Sequence, residues 1–141
     1  NDAHDRAAAA ISHNPHLTAA VPATVGAGES DLALRLAAGS FRDGTRVAGT
    51  APELQRAMLE ANSIALLNTL SETIDRLIAA RNALRDTGSV AVLVDDGHRA
   101  RAKYEAIAGA EPEPITDVRI GDPDWQQELR RQAHRARVWM A

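Results

Sequence analysis

Two short segments of this chain carry side chains suited to holding a small anion. Ser12-His13-Asn14-Pro15-His16 puts two imidazoles three residues apart, on one face of a helix, beside a proline that disturbs the backbone. Gly39-Ser40-Phe41-Arg42-Asp43-Gly44-Thr45-Arg46 reads as a glycine-punctuated turn that ends in a guanidinium. Glycine at 39 and 44 lets the backbone take positive φ and come close to a ligand. Arg46 can grip a carboxylate through two parallel hydrogen bonds, Asp43 is near enough in sequence to orient it, and Arg42 adds a second positive charge. Imidazoles and a guanidinium together suit a small polycarboxylate. Each segment also has a plainer use. The histidines can cap carbonyls freed by Pro15, and the Arg–Asp pair can be a solvated contact worth little. His-x-x-His is compatible with a metal, but a metal needs a third ligand, and only His4, Asp5 and distant acids are on offer. No metal site is assigned.

The elements that must position these groups are helical. Residues 2–25 predict a helix with Asp2 as its cap, kinked near 11–15 by Pro15 and ended or bent near Pro22. Gly26, Gly28 and Ser30 predict a loop, and 31–38 a short helix capped by Ser30 or Asp31. Gly26-Ala27-Gly28 is no dinucleotide fingerprint, since a third glycine and a preceding strand are missing. Arg46-Val47-Ala48 suggests a single helical turn, and Thr50 with Glu53 has capping-box spacing. Residues 51–86 form the clearest helical pattern, with Leu67, Leu70, Ile74, Leu77 and Leu84 in one stripe and Leu54, Met58, Ala61 and Ala65 in an earlier one. As one piece that helix would be ~50 Å long, longer than the ~37 Å diameter of a compact globule of this size. A partner subunit covering the overhang would explain it. Asn62, polar among apolar neighbours, must find partners there, either at the arginine turn or in its counterpart across an interface.

Residues 89–108 predict a further helix, weakened at Gly97. A linker follows at 109–114, then alternating residues 115–120 that suggest a strand, a helix over 123–134, and a second short strand at 137–140. The expected fold is all-α: a helical domain over 1–109 with a long central helix, and a small C-terminal α/β appendage over 110–141.

Composition narrows the function. Aromatic content is 3% and there is no cysteine, so the core is aliphatic and thiolate metal sites and disulfides are excluded. A net charge of −3 gives no argument for nucleic acid or membrane. Arg130, Arg131, Arg135 and Arg137 make the tail basic, but no aromatic platform accompanies them, and a solvated face is the expectation. No apolar run reaches the ~18 residues of a membrane span. The absence of cysteine fits a reducing cytoplasm, and a polar start without an initiator methionine suggests a chain with no signal peptide, cut from a longer polypeptide.

Taken together, His4-Asp5, Ser12 through His16, Gly39 through Ala48, and Pro52 through Asn62 resemble the C-terminal helical domain of prephenate dehydrogenases, in order and in spacing. The resemblance covers residues 3–107 and leaves the tail from 110 outside it. It implies a two-domain enzyme of tyrosine biosynthesis that oxidatively decarboxylates prephenate to 4-hydroxyphenylpyruvate. An N-terminal domain binds NAD or NADP and supplies the histidine that polarises the substrate hydroxyl. The present domain forms a homodimer and completes the substrate pocket. It further implies substrate contacts at Arg46, His16, His13 and Gly39, supported by Asp43, Arg42 and Asn62, with no catalytic or cofactor-binding residue in this chain. Related enzymes can carry tryptophan where this chain has Gln55, which leaves arogenate as an alternative substrate. The competing expectation is a stand-alone helical module that binds a carboxylate without chemistry.

Overall fold

The computed structural model describes residues 2–110 and 114–136, and all regular structure among them is helical. The chain divides into two units, Asn1–Gly88 and Ser89–Ala141. In the first, α1 (Asp2–Ala8) runs through a π-helical segment, Ala9–His13, into α2 (Asn14–Glu29). Then come α3 (Asp31–Leu36), α4 (Gly39–Thr45), a 3-10 turn (Arg46–Gly49), α5 (Pro52–Ala61) and α6 (Ser63–Thr87). The second unit holds α7 (Ala91–Gly109) and α8 (Trp125–Arg135). The all-α class matches the expectation from sequence.

Pro15 shapes the first helix pair. It has no N–H to give and its ring crowds the preceding turn. The backbone answers by widening: the N–H of Asn14 bonds to the carbonyl of Ala9, five residues back, and Pro15 enters α2 in its first turn, where a missing donor costs least. The kink expected near 11–15 is this π segment. Pro22 does not end the helix, contrary to expectation. It lies on the exposed side of α2, and the other faces of the helix pack against α3, α4 and the 3-10 turn, which hold it together to Glu29. Asp2 stands inside the first turn of α1 instead of capping it.

The predicted loop at Gly26 and Gly28 is also helical. Gly26 serves packing: a Cβ there would stand 2.6 Å from the ring edge of Phe41, so its absence lets α4 lie close against α2. The segment 39–45, expected as a turn, forms α4, and neither Gly39 nor Gly44 has positive φ. Other local signals are realised. Ser30 Oγ accepts from Ala33 N at 3.1 Å and caps α3. Arg46–Gly49 is the expected single turn. Thr50 does not cap α5, because Pro52 takes the first helical position and makes Ala51 the cap residue.

The long central helix is two helices. Asn62 ends α5, with its N–H turned to the carbonyls of Leu59 and Glu60, and starts α6, with its own carbonyl accepting from Leu66 N. At 1.5 Å per residue α6 is about 37 Å long, so the argument for a partner from a 50 Å helix falls. A different one replaces it. Within this unit the buried apolar residues are Ala9, Ala19, Leu59 and Leu66, whereas Leu67, Leu77 and Leu84 are 63%, 56% and 54% exposed. The apolar stripe read from the sequence exists, but α1 to α5 do not cover it.

In the second unit the segment 115–120 forms no strand. Asp117 takes a left-handed φ of 57°, which breaks the extended run, and Thr116 N donates to Gln132 Oε1 of α8 at 2.7 Å in place of a strand partner. Gln132 in turn donates to Glu128, whose carboxyl is held down to about 2 by Arg131 and then by Gln132 itself. The strand expected at 137–140 lies outside the described residues.

Gly26 and Gly28 make a paired test. Alanine at 28 meets nothing within 4 Å, so it should stabilise by up to ~1 kcal/mol through helix propensity. Alanine at 26 gains the same propensity but must displace Phe41, an overpacking cost of about 1–3 kcal/mol. Urea unfolding should therefore show Gly26→Ala less stable than Gly28→Ala, and equal midpoints would contradict the close α2–α4 contact.

Candidate functional site

The predicted site residues sit on three adjacent pieces of the first unit. His13 is the last residue of the π segment, His16 lies in the first turn of α2, and Arg46 opens the 3-10 turn that packs against α2. Both histidines are half-buried and Arg46 is exposed. The structure packs these backbones together but brings Arg46 into no hydrogen bond with either imidazole. Among the described residues the Arg46 side chain has no hydrogen bond or ion pair. An uncommitted guanidinium breaks no internal pair when it turns to an anion.

The two histidines are held differently. His16 Nδ1 lies 2.9 Å from the carbonyl of Ser12, one turn back. A carbonyl only accepts, so Nδ1 carries the proton and Nε2 is left for a ligand. The plainer use of the motif, capping a carbonyl, is thus real for His16, and it leaves half of the ring available. The other side of this turn is tied to α5 by Gln55, whose Nε2 donates to the carbonyl of His16 at 3.2 Å. Gln55 therefore anchors the backbone of the His-x-x-His segment.

Asn62 does not brace the arginine turn. Its Nδ2 lies 2.8 Å from the carbonyl of Asp5 and 3.3 Å from His13 Nδ1, so it joins the α5–α6 break to α1 and to the π segment. Asparagine is a favoured helix cap, yet here its side chain makes no cap bond to α6, and its amide nitrogen makes the bridge instead. Asp43 does not orient Arg46 either. Neighbours along the chain meet first: Arg42 Nε donates to Asp43 Oδ1 at 3.2 Å, both largely exposed, which makes a weak surface pair. Gly39 contributes no special backbone geometry. His4 Nδ1 stands 3.2 Å from Asp5 Oδ1 on the exposed face of α1, and this bond holds the Asp5 carboxyl below its ordinary value.

A cavity of about 420 Å³ lies between α1 and the start of α6, lined by Asp2, Asp5, Arg6, Asn62, Ser63 and Asn68 among others. His13, His16 and Arg46 do not line it. Beside α2, an apolar groove of about 340 Å³ runs along Leu17, Leu59, Leu66, Leu67 and Leu70, edged by Arg56 and Glu60. Among the described residues no three histidine, aspartate or glutamate side chains converge as a metal site, and no helix is long and apolar enough to cross a membrane.

The family model for the prephenate dehydrogenase dimerization domain matches residues 1–93, which takes in every element of the first unit. The chain belongs to the prephenate dehydrogenase family. A prephenate dehydrogenase of Lactococcus lactis subsp. cremoris is 30% identical over 126 residues, 86% of this chain and 35% of that protein. A crystal structure assigned as a prephenate dehydrogenase from Corynebacterium glutamicum is 42% identical with a TM-score of 0.84, covering 93% of this chain and 41% of its own. The crystal structure of Synechocystis arogenate dehydrogenase is 34% identical with a TM-score of 0.65, covering 72% of this chain and 39% of its own. The chain thus spans 35% to 41% of the length of these relatives. The corynebacterial match takes in more of the chain than residues 1–110 can supply, so the likeness extends into the tail that the motifs left out.

One link escaped the sequence reading. Asn14, between His13 and Pro15, donates from Nδ2 to Thr73 Oγ1 on α6 at 2.9 Å, and the Thr73 hydroxyl donates in turn to the Thr69 carbonyl. Asn14 Oδ1 is buried without a partner. The available signal was Thr73, a polar residue beside Ile74 of the apolar stripe. Thr73→Val keeps the shape but leaves Asn14 Nδ2 without its acceptor, a loss of about 1–3 kcal/mol. Thermal or urea unfolding should show it, and a neutral Thr73→Val would mean the bond does not hold α2 to α6.

Proposed function

We propose that this chain is the dimer-forming, substrate-binding domain of a dehydrogenase that oxidatively decarboxylates prephenate. The supporting observation is Arg46, an unpaired guanidinium on a turn packed against the helix that carries His16, within a chain of the prephenate dehydrogenase family. Prephenate carries two carboxylates. A bidentate arginine contact and an imidazole N–H donor in a partly dry cleft offset much of the cost of desolvating them. The likeness to an arogenate dehydrogenase favours one further reading, in which the substrate side chain is an amino acid instead of a keto acid.

Gly26-Ala27-Gly28 offers no dinucleotide site. It lies inside α2, with helix before it and no strand, so no phosphate-cradling turn forms there. NAD or NADP, and the group that takes the hydroxyl proton, belong in this proposal to a preceding domain of a longer cytoplasmic enzyme. The chain by itself is inactive. Its share of the work is to hold the substrate's carboxylates and to exclude water from one side of the pocket.

In the full-length enzyme Arg46→Ala should raise KM for prephenate by the equivalent of about 1.5–3 kcal/mol, the scale of a hydrogen bond to a charged group, and leave NAD(P) affinity unchanged. An unchanged KM would sink the assignment of Arg46. The dimer has its own test. The exposed α6 stripe and the apolar groove at Leu59 and Leu66 form the face that a second copy would cover. Sedimentation at micromolar concentration should show two chains for the wild type and one for Leu67→Asp combined with Leu77→Asp. A wild-type monomer would mean that some other surface of the same polypeptide covers α6.

A further inference from the structure

Asn62 makes two contacts from one atom, and their chemistry settles more than the bend between α5 and α6. The orientation of an asparagine amide is ordinarily ambiguous. Here it is fixed, because the Asp5 carbonyl 2.8 Å away can only accept, so the facing atom must be the nitrogen. The second hydrogen of that NH2 group is the one available to His13 Nδ1 at 3.3 Å. A nitrogen that receives a hydrogen bond cannot itself carry a proton. His13 Nδ1 is therefore the lone-pair nitrogen, and the proton of the neutral ring sits on Nε2.

We infer that Asn62 is a positioning residue that locks His13 in the Nε2–H tautomer, so that this imidazole presents a neutral hydrogen-bond donor to an oxygen of the ligand. His16 is held the opposite way, with its proton on Nδ1 against the Ser12 carbonyl and Nε2 left as a lone pair. The two rings of the His-x-x-His segment thus offer unlike groups: an N–H donor from His13 and an acceptor from neutral His16. Such a pair suits a carboxylate or carbonyl oxygen at one position and a hydroxyl proton at the other. The lock also couples the ligand wall to the fold. Asn62 is the break between α5 and α6, so movement at that break is felt at His13 Nδ1.

That His13 faces substrate rests on the proposed function; the tautomer does not, and the experiment separates them. Long-range proton–nitrogen NMR spectra of the nitrogen-15-labelled chain at about pH 8, above the ordinary imidazole range, report the proton on each ring nitrogen. His98, exposed on α7, serves as the unconstrained reference, and His13→Gln assigns the signals. In the wild type His13 Nδ1 should lie at the unprotonated limit, further toward it than His98 Nδ1. In Asn62→Ala it should move to the position of His98. Identical tautomer mixtures for His13 and His98 in the wild type overturn the inference, and that comparison needs no variant to fold. So does an Asn62→Ala spectrum that leaves His13 where it was. In the full-length enzyme Asn62→Ala should raise KM for prephenate several-fold with a smaller change in kcat. A shifted tautomer with unchanged KM leaves the lock standing and overturns the role of His13 as a donor to substrate.

Discussion

Pro15 has no N–H, and the first unit is arranged around that absence. A regular α-helix from 2 to 29 would leave a carbonyl without its donor in the middle of a packed element and drive the proline ring into the turn before it. Widening the ladder to a π turn over Ala9–His13 relieves the crowding of the ring and moves the neighbouring side chains around the helix. Ala9, at the start of the widened turn, is fully buried. His13, at its end, meets Asn62. Asn14, the next residue, meets Thr73. The irregular turn is thus where the first helix is bonded to α6. His13 closes this turn, and His16 follows in the first turn of α2.

The second constraint is a shortage of covered apolar surface. Alanine supplies half of the buried apolar positions in the first unit, and Leu59 and Leu66 supply the rest. Side chains of this size cannot by themselves offset the entropy of ordering so many residues. The stripe on α6 is the available reserve, and Leu67, Leu77 and Leu84 on it are more than half exposed. A family whose model is described as a dimerization domain, matched over the same residues, gives that surface a use. The break at Asn62 then has two sides. Toward α1 its amide bridges to the π segment, and beyond it α6 offers its apolar stripe.

Much of this was legible in the chain. Helices show as periodicity, Ser30 as a cap, and the family as the order of four motifs. What was not legible depended on long-range partners. Gly26 and Gly28 look like a loop because glycine is a poor helix former, and only the ring of Phe41 explains why one of them belongs inside α2. Asn62 looks like a polar residue within one long helix, since nothing local shows that its side chain reaches Asp5 and His13. Thr50 and Glu53 have the spacing of a capping box, but Pro52 sets the register one residue later. Asp43 was assigned to Arg46 by proximity in sequence, and the nearer Arg42 takes it. At the site, residue types were readable and pairings were not.

The central claim is that the π segment, the start of α2 and the Arg46 turn form one wall of a site for a dicarboxylate. Nitrogen-15 spectra of the full-length enzyme, recorded while prephenate is added to saturation, test it most directly. The ring nitrogens of His13 and His16 and the guanidinium of Arg46 should shift together along one saturation curve, with His4 and His98 unmoved. Saturable binding that leaves His13, His16 and Arg46 at their free positions would contradict the account.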